Sequence, residues 1–184
     1  SEPERPYSDA ELASFQQWAS FQRTAHQRAS CRAIFALCVG CGLTSGEVLA
    51  VRGSDLLDLD GVLAVQVERD GRTVPVVDRW RESYQTVMAN TKEADAFLVA
   101  PKATNRKGAM QHLLRATAGQ VKPTAVRLRM TWLVAHLEAG TPLAALLPAS
   151  GMTSTDSLRR AMSFVRPMPD NQYYEALRMT GAAR

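Results

Sequence analysis

The spacing of apolar residues changes twice along this chain, from a helical period to strict alternation near Gly61 and back to a helical period near Asp78. Before the first change, Ser8 and Glu11 stand three apart, as in a capping box whose hydroxyl and carboxylate each satisfy the other's backbone donor. A helix follows to about Ser20, with Phe15 and Trp18 inward. A longer helix runs from about Ala25 to Val39, where Ile34, Phe35, Leu37 and Cys38 are dense enough for a central, mostly buried element. Residues 41–55, CGLTSGEVLAVRGSD, end that helix, turn tightly at Gly42 and open a short helix with Ser45 as N-cap and Glu47 at the positive end of its dipole. Val48, Leu49 and Val51 supply its apolar face, and it closes before Gly53.

The alternating stretch GVLAVQVERDGRTVPVV surrounds an Asp70-Gly71 pair, so residues 62–67 and 72–76 are predicted to pair as a hairpin. A helix follows over residues 78–89, anchored by Trp80, Tyr84, Val87 and Met88, and then a short strand over residues 97–99. PKATNRKG reads as a loop, residues 110–118 as a helix with Leu113 and Leu114 inward, and Pro123 begins another helix ended by Gly140 at C′. Past Pro142 come two short helices. Pro167 and Pro169 then set apart a terminal helix, DNQYYEALRM, capped by Asp170 or Asn171. The pattern is mainly α with a small antiparallel sheet, in one domain over residues 8–184 after a short polar lead or tail over residues 1–7.

Composition is that of an ordinary globular chain, at 46% hydrophobic and 22% charged over 184 residues, enough for one sizeable core. No apolar run approaches the roughly 20 residues that span a bilayer, and the first residues carry no signal-peptide segment, so a cytoplasmic location is expected. Cys31, Cys38 and Cys41 are expected to be buried as small apolar residues. With His26, His112 and His136 out of ligand spacing, no metal or other cofactor is implied. Charge is uneven. Residues 101–137 hold seven Lys/Arg and no acid, whereas residues 1–100 hold ten against fourteen. Lys102, Arg106, Lys107, Arg115, Lys122, Arg127 and Arg129 thus form the kind of segment that releases counterions from a phosphate backbone.

Gly42, Leu43, Glu47, Leu49, Val51, Arg52 and Asp55, then Arg72-Thr73-Val74-Pro75, then Arg129, Thr131, Trp132, Leu137 and Gly140 occur in an order and spacing that resembles the tyrosine recombinase (phage integrase) catalytic domain. Leu146, Leu147, Gly151, residues 153–155 and Leu158 continue the frame. The resemblance implies a fold of that type and double-stranded DNA as partner, with Arg69 and Arg72 on the hairpin as further DNA contacts. It also implies Arg129 as the residue that grips the scissile phosphate. The departures fall on the chemistry. Thr44 stands where the family places a catalytic arginine, Val126, Met130 and Met152 where it places histidines, and Ala161 where it places the tyrosine; the hairpin turn holds Glu68, Arg69 and Asp70 and no lysine.

Strand transfer needs charge neutralisation, a base, an acid for the leaving oxygen and a nucleophile, and loss of one preorganised donor alone costs roughly 3–4 kcal/mol. The expected function is therefore DNA binding without cleavage by the usual mechanism, in site-specific recombination or a mobile genetic element. Two alternatives stay open. One is an active recombinase whose displaced nucleophile is Tyr173 or Tyr174; the other is a non-catalytic module that pairs with itself or a recombinase partner through the C-terminal helix. Neither a membrane nor a small-molecule substrate is expected. These residues leave no room for the family's N-terminal DNA-clamping domain, which would lie upstream of Ser1 if the sequence is a piece of a longer protein.

Overall fold

The computed structural model describes residues 4–179, and α2 (Ala25–Gly40) is the element the others pack against. Thr24 caps it by accepting the Gln27 N–H, and all but one residue from Ser30 to Gly40 are buried. Around it lie α1 (Asp9–Ser20), α4 (Arg81–Asn90) and α6 (Ala125–Ala139). Gly40 permits one close approach, because a Cβ there would meet Val76 Cγ2 at 2.8 Å. The Ser8–Glu11 capping box forms as expected.

After the Gly42 turn, α3 (Ser45–Ala50) is capped by Thr44, not by Ser45. The Thr44 hydroxyl accepts the Glu47 N–H, and the Glu47 carboxylate accepts the Thr44 N–H at 3.1 Å, so a second capping box fixes the start one residue early. Gly42 has φ +68°, and an added Cβ would lie 2.3 Å from Trp132 Cε3. That contact seats α6 against the turn.

The sheet has three strands, β1 (Leu56–Leu59), β2 (Val62–Gln66) and β3 (Thr73–Pro75), antiparallel in that order, with Leu59 opposite Val62 and Val65 opposite both Leu56 and Val74. The hairpin around Asp70-Gly71 is as read from the sequence, but β1 is an addition. Its burial follows no alternation, and the Asp60-Gly61 turn joining it to β2 uses two positive φ values. Residues 97–99 are not a strand. Among the described residues Phe97 forms one isolated bridge, to Arg52.

A single-turn 3₁₀ helix over Asp78–Trp80 precedes α4, whose Tyr84 hydroxyl donates to the Ala64 carbonyl of β2. α5 (Ala109–Ala116) is shorter than the expected 110–118 helix, and α6 starts after the Thr124 cap rather than at Pro123. Gly140 ends α6 with φ +75°. Then come α7 (Leu143–Ser150), α8 (Asp156–Met162) and α9 (Asp170–Leu177); α9 has no side-chain cap at Asp170 or Asn171 and no buried residue.

The lead before α1 is packed. Tyr7 is buried, its N–H donates to Thr131 Oγ1 at 2.9 Å, and its hydroxyl accepts the Thr124 N–H at 3.0 Å. The three cysteines are buried and free, as expected, and burial pushes the Cys31 and Cys38 thiols up to about 12. Among the described residues no helix is long and apolar enough to cross a membrane, and no group of three His, Cys, Asp or Glu side chains could hold a metal ion.

Candidate functional site

The capping box of α3 brings Glu47 to the centre of an arginine cluster. Its side chain is only 2% exposed, and Oε2 accepts from Arg72 Nη2 at 2.8 Å while Oε1 lies 3.0 Å from Arg69 Nη2. Arg72, on the hairpin just before β3, also donates to Asp70 Oδ2 at 2.7 Å and, through Nε, to the Ala149 carbonyl at 2.9 Å. One guanidinium thus ties the hairpin turn, the start of α3 and the end of α7 together. Gly151, with φ +64°, makes room for it, since a Cβ there would lie 2.6 Å from Arg72 Cζ.

Arg129 projects from α6 into the same region, half-buried, and donates to the carbonyls of Gly42 and Ser150. Burial lowers its pKa, the Glu47 carboxylate opposes that, and Arg72 and Arg69 add to the lowering. Three guanidinia against two carboxylates leave the cluster net positive and suited to an anion. It lacks proton-transfer groups where the resemblance would put them. The Thr44 hydroxyl is engaged in its cap, Val126 is exposed, Met130 is buried, Met152 packs against the core, and Ala161 is fully buried. Tyr173 and Tyr174 are exposed on α9 with their rings edge to face at 5.7 Å, and among the described residues no hydrogen bond links either to Arg129.

The acid-free segment divides into two kinds of cation. Arg106 donates to the carbonyls of Leu49, Val99 and Ala100 and stacks on Phe97 at 4.0 Å, opposite Arg52 at 3.9 Å. Lys122 holds the Leu114 and Thr117 carbonyls at the end of α5. Arg127 lies over the Tyr7 ring at 3.9 Å and donates to the Arg5 carbonyl. These three are internal fastenings. Lys102, Lys107 and Arg115 are exposed and, among the described residues, have no hydrogen-bond or ion-pair partner, while Arg69 is 59% exposed despite its contact with Glu47. The sequence reading missed His26 and Gln27, which line a groove with Lys102, Asn105 and His112; the Gln27 amide donates to the Ala116 carbonyl of α5. The one signal for them was the absence of acid from α2.

No protein-family model matches the chain, and no curated protein is detectably similar to it in sequence. Its fold is that of solved tyrosine recombinases. The Tn1549 transposon integrase in complex with circular intermediate DNA is 18% identical over 96% of this chain and 66% of that one, with a TM-score of 0.58. For XerA recombinase the figures are 16%, 98%, 65% and 0.59, and for the catalytic domain of bacteriophage HP1 integrase 14%, 98%, 99% and 0.60. The chain therefore spans about two thirds of the Tn1549 and XerA chains and nearly the whole of the HP1 catalytic domain.

Proposed function

We propose that this protein is a DNA-binding domain on the tyrosine recombinase catalytic fold that does not cleave DNA by the usual mechanism. The observation that carries the reading is the division among its cations. Seven Lys/Arg between residues 101 and 137 face no acid in their own segment, and those without an internal partner, Lys102, Lys107 and Arg115, lie on the α5 side of the molecule. A solvated polyanion is the partner that such cations suit. The DNA bound by the Tn1549 integrase of the same fold supports this choice. Arg129 acts as an anion contact and a fastening between the Gly42 turn and Ser150, with Arg69 at the rim of the same cluster. The setting is DNA-associated, and recombination is the process that the fold suggests.

Absence of cleavage rests on the five substituted positions, none of which carries a group able to move a proton at neutral pH. A nicked suicide duplex tests it: no covalent adduct is expected. An adduct that disappears on Tyr173→Phe or Tyr174→Phe would establish an active enzyme with a displaced nucleophile. Neutralising Lys102, Lys107 and Arg115 together is expected to weaken duplex binding at least tenfold.

One observation favours an added protein-pairing role. α9 exposes Tyr173, Tyr174 and Leu177 and buries nothing, and an isolated eight-residue helix is marginal in water. Packing on a second copy or a recombinase partner would cover it, and sedimentation of the chain with and without residues 170–184 tests this.

A further inference from the structure

We propose that the groove between α2, α4 and residues 90–102 binds a small carboxylic acid with an apolar body, its head held by Arg32. The proposal is independent of the DNA reading above. Among the described residues eight arginines are half-buried, and seven of them donate to a backbone carbonyl of the molecule. Arg28 reaches Gln22, Arg52 reaches Asp95 and Arg81 reaches Gly61, and Arg72, Arg106, Arg127 and Arg129 do the same as described above. Arg32 is the exception, with no hydrogen-bond or ion-pair partner among the described residues. A guanidinium partly withdrawn from water loses hydration, and an incoming carboxylate restores it with two parallel hydrogen bonds.

Arg32 stands between two cavities whose linings differ. In the one between α1 and α4 it meets Glu82, and Arg79 there is already paired with Asp9. The other, of about 430 Å³, is in the size range of small-ligand pockets. It adds Asn90, Lys92 and, at the end it shares with the groove beside α5, His26 and Lys102, against the single acid Glu93. Among the described residues none of these side chains is hydrogen-bonded or ion-paired within the molecule, so one negative head meets an excess of free donors. The floor is apolar, formed by Ala33, Val87, Phe97 and Leu98. Ala29 and Ala33, one turn apart on α2, are small enough to leave that space open. Cations beside an apolar floor suit an acid with a hydrocarbon tail better than a bare anion. The walls are preformed. The Ala100 N–H donates to Ser30 Oγ at 3.1 Å, the Leu98 N–H donates to the Val51 carbonyl at 3.1 Å, and the Phe97 ring is clamped between Arg52 and Arg106. Little ordering is then needed when a ligand enters.

Octanoate is the probe, titrated calorimetrically into the chain as it stands, with backbone amide NMR shifts to place it. Saturable binding is expected, with the largest shifts over residues 29–33 and 96–98. Octan-1-ol has the same tail without the charge, and inorganic phosphate has charge without the tail; each should bind at least about tenfold more weakly. Arg32→Gln should weaken octanoate binding at least about tenfold, and Arg32→Lys, which keeps the charge and loses the fork, by less. Melting temperatures verify that these variants fold. Lys92→Gln, at an exposed position, should weaken octanoate by about two- to fivefold and reads the same head-group contact if Arg32→Gln proves unstable. The proposal is overturned by any of four results: no saturable binding, octan-1-ol or phosphate bound as tightly as octanoate, shifts confined to another part of the molecule, or octanoate affinity unchanged in a folded Arg32→Gln variant.

Discussion

Glu47 shows how one residue organises the candidate site. It completes a cap, neutralises Arg72 and steadies Arg69 while almost wholly buried, so its loss leaves a guanidinium that is only 10% exposed without its buried counter-charge. Glu47→Gln is expected to destabilise the fold by about 3–5 kcal/mol in urea denaturation. A loss below 1 kcal/mol would mean that Asp70 and the Ala149 carbonyl suffice for Arg72. His136 predicts a pH effect. Burial holds its imidazole below the usual 6.5, so as pH falls through 6.5 the unfolded chain takes up a proton that the folded ring refuses, and stability falls. His136→Gln should flatten the decline between pH 7 and pH 5; an unchanged slope would remove the histidine from the account. At this scale the sequence shows the cations as a run of charge but not what holds each of them. Arg106, Lys122 and Arg127 look like Lys107 and Arg115 in composition, and only the folded positions of the Leu49, Thr117 and Arg5 carbonyls distinguish fastening from free charge.

Elements were legible where a strong local signal set them. The Ser8 box, the density of α2, the Asp70-Gly71 hairpin and the Gly140 terminus all appear where the pattern put them. The signal failed where two residues competed or tertiary contacts decided. Thr44 outcompetes Ser45 because only Thr44 stands three before Glu47, and β1 forms because β2 offers it an edge rather than through any alternation of its own. α9 is the element whose environment is least determined by the rest of the chain. Deleting residues 170–184 should leave the melting temperature of the monomer within about 2 °C, since the described part of that segment buries nothing. A large drop would show that α9 is integral to the fold.

For the whole molecule, the fold and the ordered motifs were readable because they depend on turns, caps and a hairpin whose chemistry is local. The electrostatic face was readable only as a run of charge; its extension onto His26 and Gln27 depends on the packing of α2 beside α5. A recombinase-type fold thus keeps a net-positive arginine cluster around Glu47, and its free cations lie along and beside a short exposed helix. Duplex affinity measured by fluorescence anisotropy across a salt series tests this most directly. With the exposed charges of Arg69, Lys102, Lys107 and Arg115 displacing counterions from the duplex, the logarithm of affinity should fall linearly with the logarithm of salt at a slope of about −3 to −4, and neutralising Lys102, Lys107 and Arg115 should remove most of that slope. No binding at low salt, or a slope unmoved by the triple substitution, would contradict the account.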